Sequence, residues 1–267
     1  MKRHIGKYGK SGELYRYTPE TKIAKGVILF LPGLGEIADR GPLSIVERHE
    51  IPKLLRRVDA KSGDVINPSG YEGDHEIIVP QLNGDSWNRS VFRSLFAYLD
   101  SLGYEEKHLT GLSLGGNGTI GGAKHAYEWN GNKPGYFKSY GIVCGWTGQT
   151  PDIKLFEGSI VKWWHGLADN TITFEKSDAD KFISALAGAG INAELKTYTG
   201  VDHNVWVHAY KPEEYFKFID GAGTPVTEEP QEPHVIDEPV SIVKNADGLF
   251  VITEEGRFKM NCTLTKL

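Results

Sequence analysis

The chain has 267 residues, a length that one large α/β domain can occupy alone, and its 39% hydrophobic and 24% charged residues are ordinary for a globular protein. The net charge is -5 and Lys and Arg form no dense run, which argues against nucleic acid as the main partner. No stretch has the length of a membrane span, and the basic amino terminus lacks an apolar signal region. We therefore expect no membrane partner and a cytoplasmic location, or secretion if a signal peptide has been removed.

Short β-rich runs alternate with longer helical patterns from about residue 13 to residue 220. Apolar or alternating runs predict strands at residues 14–18, 26–31, 76–80, 108–112, 140–144, 160–164 and 193–198. Helical spacing of apolar residues predicts helices at residues 47–58, 90–102, 114–127, 179–186 and 213–219. Several of these strands are apolar throughout, which indicates a mostly parallel sheet covered by helices on both faces. In such a sheet the ligand site lies beyond the carboxyl ends of the strands.

The composition changes near residue 221, where a segment rich in Pro and Glu begins. Residues 222–239 are predicted to be an acidic linker between a main α/β domain at residues 1–221 and a small β appendage at residues 240–267. Alternation and two turn signals predict two or three antiparallel strands in the appendage. So short a segment cannot form a core alone, so we expect it to dock on the main domain or on another chain, or to be the start of a truncated module. Because exposed strands pair with other strands, self-association through the appendage is a hypothesis.

Residues 111–115 read Gly-Leu-Ser-Leu-Gly and join a predicted strand to a predicted helix. In the G-x-S-x-G pattern the serine lies on a sharp strand-to-helix turn, where side chains in place of the two glycines would collide with the backbone. The pattern therefore predicts that Ser113 is a nucleophile. Gly-rich turns without chemistry share the bare pattern, so its significance comes from the strand before it and the helix after it.

A nucleophilic serine needs a base and a carboxylate that orients the base. Among nine histidines, His203 is the best placed, because it follows a predicted strand and completes the chain order Ser, acid, His. Asp169 also follows a predicted strand and is the predicted acid. His208 is the competing base, and Asp152 and Asp202 are the competing acids.

A tetrahedral intermediate on the serine requires two N–H donors. Leu114 directly follows the serine and is predicted to supply one amide. The other is expected in the loop after the strand at residues 26–31, with Leu34 as the first choice and Gly35 as the second.

Aromatic and cysteine residues complete the set of candidates. Trp87, Trp146 and Trp206 occur near the predicted site and are candidates for an apolar wall that binds substrate, or for ordinary half-buried packing. The chain has only two cysteines, which indicates neither a disulfide framework nor a thiolate metal site. Cys144 lies in an apolar run and is predicted to be a buried thiol.

Three segments together carry a resemblance to a known family. The nucleophile segment is LTGLSLGGNGTIGGAKHA, and the later segment contains a His-Gly-x-x-Asp loop at Asp169 and a Gly-x-x-His at His203. The early segment FLPGLGE is followed by IPKLL and by IIVPQLNGDSWN. Over roughly residues 10–220, in order and spacing, the chain resembles the carboxylesterases related to dienelactone hydrolases and carbohydrate esterase family 1, a group that includes "predicted peptidases".

The resemblance implies an α/β-hydrolase catalytic domain at residues 1–221 that hydrolyses carboxylic esters through an acyl-enzyme, without a metal or organic cofactor. Substrates in this group include feruloyl and acetyl esters on polysaccharides, small lactones and synthetic esters, so the expected partner is a small-molecule or polysaccharide-linked ester. Two positions depart from the family pattern. Leu114 stands where relatives carry Met, and Pro32 stands where many carry His before the oxyanion glycine.

Two other classes of function stay open at this point. A prolyl-oligopeptidase-like serine peptidase would share the fold and the triad, although no propeller-like repeats precede the catalytic domain. A non-catalytic binding or structural module would retain the fold alone, and the acidic linker and β appendage keep this alternative open. The presence of all three triad residues in the expected order argues against it.

Overall fold

The computed structural model describes residues 1–55 and 73–221, together with the backbone of three strands near the carboxyl terminus. These residues fall into two compact units, Met1–Thr224 and Pro225–Leu267. None of the described helices combines the length and the apolar character needed to cross a lipid bilayer.

The first unit is built on an eight-stranded sheet. Its strands are β1 (Lys2–Tyr8), β2 (Gly12–Thr18), β3 (Gly26–Leu31), β4 (His75–Pro80), β5 (Glu106–Leu112), β6 (Ser139–Val143), β7 (Ile160–Gly166) and β8 (Asn192–Tyr198). Their order in the sheet is β1-β2-β4-β3-β5-β6-β7-β8. Strands β1 and β2 form an antiparallel hairpin, and β2 pairs antiparallel with β4, whereas β3 to β8 run parallel to one another.

Helices cover both faces of this sheet. They are α1 (Glu50–Leu55), α2 (Arg89–Ser101), α3 (Leu114–Trp129), α4 (Phe174–Ser177), α5 (Ala179–Gly188), α6 (Trp206–Ala209) and α7 (Pro212–Asp220). Successive strand residues point to opposite faces, so Trp163 packs in the cluster formed with α2, α3 and α5, and Trp164 packs in the cluster formed with α6 and α7. Burial on both faces explains why the central strands are apolar throughout.

The predicted mostly parallel sheet with helices on both faces is confirmed. The helix predicted at residues 47–58 is observed as α1, which follows a 3-10 helix at Leu43–Glu47, and residues 56–58 lie outside the described part. Strand β1 is absent from the predicted set. Its sequence is basic and largely exposed, and it forms a strand because every residue from Lys2 to Tyr8 pairs with β2.

The second unit contains three strands, β9 (Ser241–Asn245), β10 (Gly248–Thr253) and β11 (Gly256–Lys259). They form an antiparallel sheet with β10 in the centre. The turns predicted at Asp247-Gly248 and Glu255-Gly256 fall on connections whose residues lie outside the described part. The predicted acidic linker at residues 222–239 lies outside the described residues.

Candidate active site

Ser113 lies on a sharp turn between β5 and α3. Its backbone has φ 54° and ψ -117°, a strained conformation for a residue with a side chain. Neighbouring glycines make the turn possible, because a Cβ on Gly115 would collide with the carbonyl oxygen of Leu31, and one on Gly111 would collide with the backbone of Gly115. The serine is half-buried and lies at the carboxyl edge of the sheet.

The structure brings Ser113, His203 and Asp169 together in one line of hydrogen bonds. The Ser113 hydroxyl lies 2.9 Å from His203 Nε2, and His203 Nδ1 lies 2.7 Å from Asp169 Oδ2. A carboxylate accepts only, so the partners assign the proton to Nδ1 and leave Nε2 as the acceptor of the serine proton. The three residues come from separate loops that follow β5, β7 and β8 at the same edge of the sheet.

Asp169 is held in place by its own loop. Its side chain is buried, and Oδ1 accepts the backbone N–H groups of Thr171 and Ile172, both at 2.8 Å. These two bonds occupy one carboxylate oxygen and direct the other, Oδ2, toward His203. The orientation of the carboxylate is therefore fixed before any substrate binds.

The competing residues lie elsewhere. Asp152 is exposed and pairs with Lys154, and Asp202 is exposed although it adjoins His203 in sequence. His208 lies in α6, where its ring stacks on Tyr198 with the centroids 4.9 Å apart. None of the three takes the position of His203 or Asp169 between the strand ends.

His165 is a neighbour of Asp169 that sequence reasoning missed. It is fully buried at the end of β7, and its Nε2–H donates to the carbonyl of Ile172 at 2.9 Å, while the same nitrogen lies 3.6 Å from Asp169 Oδ2. Burial lowers the pKa of His165, so its ring is neutral at pH 7 and adds no cation beside the Asp169 carboxylate. The His-Gly-x-x-Asp spacing was the signal that could have revealed it.

The loop after β3 contains the other predicted amide donors. The residues Leu34–Glu36 form a short 3-10 turn, and both Leu34 and Gly35 are exposed. The Gly33 N–H donates to Glu36 Oε2 at 2.8 Å and is therefore already satisfied. Leu114, the third predicted donor, is the first residue of α3, where the amides of a helix have no partner within the helix.

Glu36 and His49 are two polar residues of this region that sequence reasoning did not identify. The Glu36 side chain is 3% exposed, and burial raises the pKa of its carboxyl group. Its Oε1 lies 3.3 Å from Nε2 of His49. Burial also lowers the pKa of His49. Glu36 and His49 therefore form a partly desolvated pair beside the loop after β3.

The three tryptophans have different positions. Trp206 is half-buried, with its ring edge-on to His203 at 5.5 Å and 5.0 Å from the His49 ring, so it lies at the site. Trp146 is half-buried, and its carbonyl accepts the side-chain amide of Asn117, which lies one turn after the serine.

Trp87 corrects the expectation of an apolar substrate wall made of all three rings. It is buried in the core beside Phe92, in a gap left by Gly118, whose missing side chain would otherwise overlap the indole. Packing against α3 accounts for its position without a substrate. The sequence could not show this, because Gly118 is distant from Trp87 along the chain.

Cys144 is a buried thiol, as its apolar surroundings in the sequence predict. Burial raises the pKa of the thiol well above its usual value, so it stays protonated and unreactive at pH 7. Within the described ranges, the side chains that could hold a metal ion are His75, Glu106 and His108, at the opposite edge of the sheet from Ser113.

With this topology and this serine turn, the chain has the α/β-hydrolase fold, as predicted. No protein-family model and no curated protein sequence matches the chain. Solved structures do match it, and they include esterases and a putative dienelactone hydrolase, at 15–18% sequence identity.

Three of these structures illustrate the likeness. A thermostable esterase superposes with a TM-score of 0.55 at 18% identity, covering 82% of this chain, and the chain spans 62% of the length of that esterase. Esterase 2 of the planctomycete Thermogutta terrifontis has a TM-score of 0.56 at 15% identity, with 85% and 95% of the two chains covered, and it has also been solved phosphorylated by paraoxon. A putative dienelactone hydrolase of Klebsiella pneumoniae has a TM-score of 0.50 at 17% identity, with 82% and 95% covered.

Proposed function

We propose that the protein is a serine hydrolase that cleaves carboxylic esters through an acyl-enzyme. The observation that carries this proposal is the unbroken line of hydrogen bonds from Asp169 through His203 to Ser113, with the serine on a strained turn. Such a line is what converts a weakly nucleophilic hydroxyl into a nucleophile at neutral pH.

Each residue of the line has one task in the proposed reaction. His203 Nε2 takes the hydroxyl proton as Ser113 Oγ bonds to the ester carbon, and the carbonyl electron pair moves to the oxygen. The imidazolium then returns its proton to the leaving alkoxide as the C–O bond breaks, which leaves an acyl-enzyme. Water, activated by His203, attacks this ester and releases the carboxylic acid and free Ser113. Asp169 keeps the correct tautomer and stabilises the imidazolium.

The oxyanion that forms in both steps is assigned to two backbone amides. Leu114 is one donor, because it starts α3 and directly follows the nucleophile. The second is the amide of Leu34 or Gly35 in the loop after β3. The use of the Gly33 amide by Glu36 supports this choice, since it removes the nearest competing donor of that loop.

The proposed substrates are carbohydrate-linked esters or small aryl and acyl esters. Two features support this class: the half-buried Trp206 ring against His203, which offers an apolar and stacking surface, and a fold shared with esterases and a dienelactone hydrolase. The proposed acylation and deacylation of Ser113 use only side chains, backbone amides and water, so neither step requires a metal or an organic cofactor.

The test is hydrolysis of p-nitrophenyl acetate, p-nitrophenyl butyrate and methyl ferulate by the native chain and by Ser113→Ala. We expect kcat/KM to fall by at least about a thousandfold in this variant. The control is Ser101→Ala at the exposed end of α2, which should keep full activity. A native chain that hydrolyses none of the esters contradicts the proposal, and cleavage of a proline-containing peptide instead would show a peptidase.

A further inference from the structure

Three polar side chains converge at the edge of the sheet opposite to Ser113. They are His75 at the start of β4 and Glu106 and His108 at the start of β5. Glu106 and Ser113 are seven residues apart along one strand, which at the rise of an extended chain separates them by about 20 Å. The proposed ester chemistry therefore makes no use of this group.

The ligand atoms of these side chains already lie close to one another. Glu106 Oε1 is 2.9 Å from His75 Nε2 and 3.1 Å from His108 Nε2, and the group as a whole lies within 4.8 Å. In a tetrahedral zinc site with bonds of about 2.0–2.2 Å, neighbouring ligand atoms are about 3.4 Å apart. We propose that His75, Glu106 and His108 form a binding site for a divalent transition-metal ion, with Zn²⁺ as the best fit.

The backbone is arranged so that these side chains can meet across a strand. Strand β3 lies between β4 and β5, and Gly26 pairs with both His75 and Glu106. A Cβ on Gly26 would lie 2.6 Å from the Glu106 carbonyl oxygen and 3.0 Å from Cδ2 of His75. Because residue 26 has no side chain, ligands from two non-adjacent strands share one space.

A buried hydroxyl supports the required form of one imidazole. Ser139 Oγ lies 2.8 Å from Nδ1 of His108, and both residues are fully buried. When His108 binds a metal through Nε2, its Nδ1–H donates to this hydroxyl oxygen. A hydrogen-bond partner behind the ligand is the usual way in which proteins orient a metal-binding histidine.

The charges around the group also suit a cation. Glu106 is about one-third exposed (34%), so the group can be reached from solvent. Lys25 directly precedes Gly26, and its ammonium group pairs with Asp220 at 3.1 Å, which offsets the positive charge of this lysine.

The alternative is a metal-free network in which both imidazoles donate to one carboxylate oxygen. The full chain, stripped of metal with a chelator, would be titrated with Zn²⁺ against a chromophoric competitor. We expect Glu106→Gln to weaken Zn²⁺ binding by about 100-fold, and the matched control Glu105→Gln, at an exposed neighbouring position, to bind as the native chain does. Absence of Zn²⁺ binding by the native chain, or equal binding by Glu106→Gln, overturns the proposal.

A second measurement does not depend on a folded variant. Crystals of the native chain grown with Zn²⁺ would be measured on both sides of the zinc absorption edge. The proposal predicts an anomalous peak within about 2.0–2.2 Å of Nε2 of both histidines and of Glu106 Oε1. Peaks found only at other positions, or none, would show that the group is a hydrogen-bonded network and nothing more.

Discussion

The substitution Asp169→Asn tests how the triad is oriented, because the structure predicts which way the new amide will face. In the native chain Oδ1 accepts two backbone N–H groups, from Thr171 and Ile172. In the variant the amide oxygen must take this position, since an NH₂ group there would face two donors. The NH₂ group is then left facing His203 Nδ1, where it donates.

The size of this preference follows from the bonds involved. The opposite orientation loses the hydrogen bonds of two part-buried N–H groups, at about 0.5–1.5 kcal/mol each, or roughly 1–3 kcal/mol in total. His203 is therefore held with Nδ1 as the acceptor and the proton on Nε2, so it cannot take the proton of Ser113. A triad with the wrong tautomer loses about 10⁴ in kcat, which corresponds to about 5.4 kcal/mol of transition-state stabilisation.

The assay is the initial rate of p-nitrophenyl ester hydrolysis, with the thermal unfolding of each variant measured to show that the fold is intact. The matched control is Asp202→Asn, which changes an exposed carboxylate next to His203 in sequence and should leave the rate near that of the native chain. If Asp169→Asn kept more than a tenth of the activity, or if both variants lost activity equally, the tautomer argument would be refuted.

Three further predictions concern stability and assembly. Gly115→Ala should lower the free energy of unfolding by at least about 3 kcal/mol in urea titrations, because its methyl group meets the Leu31 carbonyl, whereas Gly121→Ala in the same helix meets nothing and should change it by less than about 1 kcal/mol. Burial raises the pKa of Glu214, but hydrogen bonds from two lysines and an indole outweigh it and lower this pKa to about 2. The stabilisation of the fold by the ionised Glu214 is therefore present above pH 4.5 and lost as the pH falls toward 2. Glu214→Gln should therefore destabilise by about 1–2 kcal/mol at pH 7, allowing for solvent screening, and very little at pH 2, with Glu213→Gln nearly neutral at both. Removal of everything after residue 221 should reduce the mass in solution to that of a monomer if the appendage mediates self-association, and an unchanged assembly state would exclude that hypothesis.

The sequence was sufficient where a single local rule determines the structure. Continuous apolar runs identified the buried parallel strands, because those strands are covered on both faces. The order of Ser113, Asp169 and His203, each after a predicted strand, identified three residues that the structure brings within hydrogen-bonding distance. Their spacing in the chain is set by the topology of the sheet and can be recognised without coordinates.

The sequence was insufficient where a position depends on residues distant along the chain. Trp87 is a core residue because Gly118 leaves a gap for its ring, and no local pattern links the two. Strand β1 forms through pairing with β2 and not through an apolar pattern of its own. The buried Glu36 is paired with His49, which lies outside its own 3-10 turn, and no local pattern links the two.

The central claim is that Ser113 is an activated nucleophile, and covalent labelling with paraoxon tests it most directly. The native chain and Ser113→Ala would be incubated with this reagent and compared by intact mass and peptide mapping. We predict one diethylphosphoryl group per native chain, bound to Ser113, and none on the variant. A native chain that takes up no label, or a label that persists on the variant, would contradict the account.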